Sequence, residues 1–274
     1  MSADTKTIDQ FLAESPNVDV SRAWERCYGI LSGIKERIAE KFPVERHPSC
    51  AGREYYTSPD GAFEGSFNAF TGQGVEWLVN SWLGNRKASI LDMNATCFLG
   101  QETDTPHLIV IFGTLPKLFF YADYVPRRNL MTDMDYLDYY YGGEVNEEWV
   151  KLRGNEQLHW LVSHGTYMRS LLSPVGISMA GDLNDTNIDT FEAYAERFVS
   201  RWMGWLDNPR TVPESERAEL QRYDHRVRAL GYERDPMNKL AVQVFGADQV
   251  DRMIDMRKGT EQMQASRIYT GAAA

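Results

Sequence analysis

Apolar positions along the chain follow two different periods. Between residues 20 and 42, Trp24, Cys27, Tyr28, Leu31 and Ile38 recur at helical spacing while Arg22, Glu25, Arg26, Lys35 and Glu36 fill the other side, which predicts an amphipathic first helix. Pro43 and Pro48 end that pattern, and Ser58, Pro59, Asp60 and Gly61 make a turn signal from which a hairpin enters a sheet. Phe63, Gly65, Phe67 and Ala69 then alternate with Glu64, Ser66 and Asn68, the period of two of a strand with unlike faces, so Glu64 points opposite to the phenylalanines. Strand-like runs follow at 75–83, 88–99, 106–113 and 117–123. The connections are short and carry Gly, Asn, Thr and Pro, which favours an antiparallel meander over parallel crossovers.

Helical spacing returns at 132–141, where Met134, Leu137 and Tyr141 follow Asp133 and stop at Gly142 and Gly143. An extended stretch around 167–179 is expected to complete the sheet. Asp189 or Thr190 then caps a helix whose stripe of Phe191, Tyr194, Ala195, Phe198, Val199, Trp202, Trp205 and Leu206 reads as core. A further helix begins near Pro213, with Glu214 and Glu216 at its positive end, and a last short one covers 246–256. One domain is expected over 1–274: a helix and linker to 48, mainly sheet over 49–180, helices over 181–258 and a loosely held tail over 259–274.

Composition narrows the function classes. With 43% hydrophobic residues the chain has ample surface to bury, and its longest apolar run, 108–112, is of strand length, so no membrane span is expected. The formal charge of −10 argues against nucleic acid or anionic lipid as partner. Residues 1–14 carry Asp4, Asp9 and Glu14 and no basic and apolar leader, which points to the cytoplasm. Cys27, Cys50 and Cys97 lack metal-ligand or C-x-x-C spacing and read as reduced, buried thiols, and five scattered histidines predict no metal site.

The common phosphate, dinucleotide, zinc-protease and serine-hydrolase motifs are absent, which leaves acids on strands and on one helix. Asp92 lies among Ile90, Leu91 and Met93; Asp123 ends the run from Leu118 to Ala122; Asp224 precedes His225. A carboxyl in apolar surroundings has a raised pKa and can donate a proton near neutrality. The structural alternatives are turn capping or pairing with Arg127 and Arg128 for Asp123, and a solvated helix face for Asp224 and His225. Abundant aromatics, including Tyr136, Tyr139, Tyr140 and Tyr141 in one cluster, suit a flat conjugated ligand, although most must be ordinary core.

Several segments, in shared order, resemble the red chlorophyll catabolite reductase family, relatives of the ferredoxin-dependent bilin reductases. They are SPDGAFEGSF at 58–67, VEWLVNSW at 75–82, TPHL at 105–108, DYVPRRNL at 123–130 with DYL at 135–137, YMRSLLSP at 167–174 and ERAELQRYD at 216–224. The resemblance implies an α/β fold, an α/β/α sandwich with a central antiparallel sheet flanked by helices, and a homodimer. It implies an open-chain tetrapyrrole held between the sheet and the C-terminal helices, electrons from ferredoxin as partner, no bound metal or flavin, and protons from pocket carboxylates. Carried over by position, Asp224 is the catalytic acid, while Glu64, Asp123 and Arg169 take support or binding roles. Beside these, the residues themselves offer Asp123 and Asp92 as further catalytic candidates and His107, His225 and Arg127 as further substrate-binding ones. One position departs: where the family's pocket glutamate aligns, this chain has Ile111, and Asp92 or His107 is the expected replacement.

Three functions follow. The first is a ferredoxin-linked reductase of an open-chain tetrapyrrole, which requires a concentrated basic patch at Arg127 and Arg128 or at Arg222 and Arg226, because ferredoxins are acidic and the chain is negative. The second is a cofactor-independent lyase or isomerase acting on an aromatic substrate in the same pocket. The third is a pigment carrier without turnover.

Overall fold

The computed structural model describes residues 18–114, 117–155, 158–163 and 165–269, the side chains of 267–269 excepted. Among them nine strands form one antiparallel sheet. These are β1 (Val44–Arg46), β2 (Tyr55–Thr57), β3 (Glu64–Gly72), β4 (Val75–Asn85), β5 (Ile90–Leu99), β6 (His107–Thr114), β7 (Leu118–Val125), β8 (His159–Trp160) and β9 (Ile177–Gly181). The order is β1-β3-β4-β5-β6-β7-β9-β8, with β2 also pairing with β3. The β2–β3 hairpin turns at the expected place, where Ser58 Oγ accepts from the Phe63 amide and Asp60 from Ala62.

Strict alternation sorts the strand side chains onto two faces. Leu91, Met93, Ala95, Cys97 and Leu99 of β5, with Leu108, Val110 and Phe112 of β6 and Leu118, Phe120, Ala122 and Tyr124 of β7, enter the main core. Helices α1 (Ser21–Lys41) and α5 (Asp185–Asp207) cover this face through Cys27, Leu31, Ile34 and Ile38 and through Phe191, Ala195, Phe198 and Trp202, spaced one helical turn apart. Burying aliphatic and aromatic side chains of this size is worth about 1.5–3 kcal/mol each, so this layer is the main source of stability. Between β7 and β9 lie α2 (Met134–Tyr141), α3 (Gly143–Arg153) and α4 (Thr166–Leu171).

The opposite face carries a smaller core of Phe67, Ala69, Trp77, Val79, Phe98 and Met256. Helices α6 (Glu214–Glu233), α7 (Asn238–Phe245), α8 (Ala247–Lys258) and α9 (Thr260–Tyr269) follow in sequence. Trp77 Nε1 donates to the Arg257 carbonyl, which ties the end of α8 to β4. Gly259, in the left-handed region at φ +67°, lies against the Trp77 ring, and a Cβ there would stand 2.7 Å from it.

Three expectations need correction. Residues 166–171 form a helix, so that only 177–179 of the stretch at 167–179 joins the sheet, in a strand that runs on to 181. α5 starts at Asp185, capped by Asn184, rather than at 189 or 190. The helix over 134–141 does end at Gly142 as expected, and the same glycine caps the start of the next helix. Residues 260–269 of the expected tail are helical, while 270–274 and 1–17 lie outside the described residues. Cys27, Cys50 and Cys97 are free thiols and buried.

Candidate active site

The register lays out the second face as rows. Trp77, Phe98, His107 and Val125 form the first, Val79, Thr96, Ile109 and Asp123 the second, Ser81, Asn94, Ile111 and Tyr121 the third, and Leu83, Asp92, Gly113 and Phe119 the fourth. Same-face rows lie two residues apart, so the first and fourth are separated by about 20 Å. Ile109, Ile111, Phe119 and Tyr121 keep partial exposure, whereas Thr96, Asn94 and Ser81 beside them are buried. An apolar strip over β6 and β7 is therefore open, flanked by the C-terminal helices. Asp92 fits this shape: its side chain is 40% exposed, yet burial raises its pKa, as expected for a group on the floor of a concavity.

One end of the strip is polar. Helix α6 turns Asp224 and His225 inward, both buried, which overturns the reading of a solvated face. Asp224 Oδ2 accepts from Nη2 and Nε of Arg127 at 2.6 and 3.1 Å. Burial pushes its pKa up, but the Arg127 guanidinium against it outweighs that and holds it below the usual carboxylate range, so Asp224 is ionised at neutral pH. His107 Nδ1 accepts from the Leu99 amide, which places the proton of the neutral ring on Nε2. Burial lowers its pKa to about 4, against the pull of Asp224. Nε2 lies 3.2 Å from Asp224 Oδ1 but out of line for a hydrogen bond, so neither atom has a partner.

Glu76 completes the end. The register between β4 and β5 shifts between Val75 and Trp77, a β-bulge, and these two residues enter different cores. Glu76, between them, meets His225 Nε2 at 3.1 Å and Ser266 Oγ of α9 at 3.0 Å. Burial raises the Glu76 pKa, and His225 and Arg228 bring it below normal. Arg228 Nη2 stays 3.8 Å from Glu76; its Nε and Nη2 are buried without hydrogen-bond partners, and its guanidinium stands 5.1 Å from the Phe98 ring centre. Glu76, His107, Gln221, Asp224, His225 and Arg228 enclose about 10 Å³, room for a single water. A buried polar atom left unpaired costs about 1–3 kcal/mol, so this cluster is built to receive a polar group.

The other sequence candidates are distributed as follows. Asp123 is fully buried, accepting from Tyr121 Oη at 3.0 Å and the Ser173 amide at 3.1 Å; its Oδ1 has no partner and burial raises its pKa. It does not pair with arginine: Arg128 reaches Asp104 and Glu216, and Arg127 reaches Asp224. Arg127 is corrected from a substrate-binding to a positioning residue, because its buried guanidinium is spent on Asp224 and on the Thr103, Thr105 and Gly100 carbonyls. Glu64 is corrected as well, since it lies on the other face and pairs with Arg86 at 2.6 Å. Arg169 is exposed on α4 and donates to the Ser163 carbonyl, away from the Asp224 cluster. Asp92 stands at the far end of the strip, 3.5 Å from Arg257, so of the two replacements expected for the family glutamate only His107 joins Asp224. Glu76 and Arg228 were not foreseen. Among the described residues no three His, Cys, Asp or Glu side chains converge as metal ligands, and no helix is long and apolar enough to cross a membrane.

An open apolar floor ending in an ionised carboxylate, a neutral imidazole and a second acid defines an enzyme that manages protons on a flat, largely apolar substrate. The family model for red chlorophyll catabolite reductase matches residues 29–258, and the chain belongs to that family. It is thus an oxidoreductase of the tetrapyrrole-reducing kind. Phytochromobilin synthase from tomato, in a crystal structure with biliverdin, shares the fold with a TM-score of 0.72 over 86% of this chain and 84% of that one, at 18% identity. No curated protein matches the chain in sequence.

Proposed function

We propose that the protein reduces an open-chain tetrapyrrole, red chlorophyll catabolite or a bilin-like pigment, with electrons from ferredoxin and protons from the cleft. The observation that carries this reading is Asp224, an ionised carboxylate with one oxygen held by Arg127 and the other unpaired beyond one end of an open apolar strip about 14 Å long. The free oxygen suits a pyrrole N–H, whose hydrogen bond to a carboxylate raises the basicity of the pigment as negative charge arrives. His107 Nε2–H faces the same point as a neutral donor. Asp123, on the neighbouring row with its pKa raised by burial, is a second candidate proton donor.

Saturating one double bond takes two electrons and two protons: two reduced ferredoxins are oxidised, each giving one electron, and two protons join the pigment. No resident metal or flavin is required, because a conjugated tetrapyrrole delocalises an unpaired electron between the two arrivals. The family resemblance further supports a homodimer, which light scattering on the purified protein tests.

Ile111 at the centre of the floor favours a second reading, acid–base chemistry on an aromatic substrate without an electron donor, using the same Asp224 and His107. Anaerobic mixing decides between them. Biliverdin or red chlorophyll catabolite bleaches or shifts its absorption only when reduced ferredoxin is present if the protein is a reductase; an unchanged spectrum with both pigments rejects that reading.

A further inference from the structure

Most cations of this acidic chain are neutralised within it. Arg26 and Arg37 of α1 pair with acids of α5, Arg197 and Arg201 share Glu148, and Arg128 holds Asp104 and Glu216. The outer side of α6 differs. Arg222, Arg226 and Arg234 are exposed, and none forms an ion pair among the described residues. Arg222 and Arg226 are one turn apart, so their like charges oppose each other on the helix surface. Of the nearby acids, Glu233 is engaged by Lys258 at 2.9 Å, and Glu219, three residues before Arg222, offsets only part of the cluster.

Aromatic surface accompanies the charge. Tyr223 is 42% exposed, and the Arg234 guanidinium stands 5.8 Å from the ring centre of Tyr167 on α4, where the Arg226 charge is also felt. Exposed tyrosine and arginine side by side are the residues enriched at protein interfaces and their hot spots. The same turn of α6 that presents Arg222 and Arg226 outward carries Asp224 and His225 inward. A partner seated there is separated from the cleft by one helix, about 10 Å thick.

We infer that this α4–α6 face, with Arg222, Arg226 and Arg234 around Tyr223 and Tyr167, docks a small acidic electron-carrier protein. The inference rests on the reductase reading for its purpose, and the like-charge cluster on a chain of net charge −10 is its physical basis. Three unpaired arginines grouped on one face let an acidic carrier bind there in a preferred orientation although the chain as a whole repels it. Each docking event transfers one electron, oxidising the carrier's cluster and reducing the pigment.

The test compares the wild-type protein with the triple variant Arg222→Glu, Arg226→Glu, Arg234→Glu, using an oxidised plant-type [2Fe–2S] ferredoxin as probe in a direct binding titration. The wild-type Kd is expected to weaken at least about tenfold between about 0.05 and about 0.5 M salt, and the variant to bind at least about tenfold more weakly at the lower salt. A variant Kd within about twofold of wild type, or salt-independent binding, overturns the assignment. Should the triple variant lose its circular dichroism spectrum, Arg226→Gln with Arg234→Gln replaces it under the same criterion. Pigment reduction driven by a reduced viologen bypasses the surface and is expected to be unchanged in the variants. Failure of that reaction in the wild type rejects the reductase reading, while the binding titration still decides the surface.

Discussion

Replacing Arg127 with Met asks whether Asp224 is an anion maintained by one arginine. The pair is buried on both sides, at 2.6 Å, and breaking such a pair costs about 3–5 kcal/mol because the remaining charge stays uncompensated. Arg127 also satisfies the Thr103 and Gly100 carbonyls at 2.6 and 2.9 Å, and their loss adds about 1–2 kcal/mol. Arg127→Met should therefore lose about 5 kcal/mol, a large part of the 5–15 kcal/mol of a typical domain. Asp224→Asn removes only the charge of one partner and leaves Arg127 on its carbonyls, so about 2–3 kcal/mol is expected. The double variant has no stranded charge and should be less damaged than the sum by about 3 kcal/mol. Urea titrations with a common slope measure all three. Without Arg127, burial acts unopposed and the Asp224 pKa rises above its unfolded value, so the Arg127→Met deficit should shrink as pH falls and the carboxyl protonates. Additivity within about 0.5 kcal/mol would show that the two side chains do not depend on each other, and the account of Asp224 as an ionised group would fail.

Asp224→Asn should lower pigment reduction by at least about 100-fold, equivalent to about 2.7 kcal/mol of transition-state stabilisation, with the circular dichroism spectrum kept; unchanged rates remove it from the mechanism. Ile111→Glu places a carboxyl at the middle of the floor between Asn94 and Tyr121, and should raise the rate with red chlorophyll catabolite at least about tenfold if protonation occurs there, as read by steady-state kinetics. For Asp123 the folded pKa is raised, so its charge destabilises the fold above that pKa and the penalty vanishes below the unfolded value. Asp123→Asn should accordingly raise the urea midpoint at about pH 8, with the gain fading towards about pH 4. Gly259→Ala should lower the melting temperature, with a cost above about 2 kcal/mol, because left-handed backbone and a Cβ pressed on Trp77 act together; an unchanged melt would mean that α8 and α9 are free to shift.

The sheet and the long helices were legible because their signals are local. Alternation in β3, turn residues at 58–61 and the stripe from Phe191 to Leu206 each report a buried side. Short helices were not: α4 is only six residues long and α9 carries few apolar ones, and what seats α9 is contact with distant elements, such as Ser266 on Glu76. The site divides in the same way. Asp224 and His107 were found through the resemblance and through their surroundings, and Arg127 was placed among the binders because sequence reading expects arginine at the surface. Nothing near Arg127 in sequence reveals a carboxylate on a helix 97 residues away. Glu76 was hidden most thoroughly, since Val75-Glu76-Trp77 reads as simple alternation with both apolar residues on one side.

That misreading carries a lesson for transplanting chemistry between relatives. The location of Glu76 is a property of the main chain, set by one surplus residue in a ladder, and no choice of side chain reproduces it. Grafting a glutamate at the aligned position of a homologue whose strand runs straight would drive a carboxylate into aliphatic packing, and shortening this strand by one residue would do the same here. Acquisition or loss of this acid during divergence is therefore expected to track insertions and deletions rather than point substitutions.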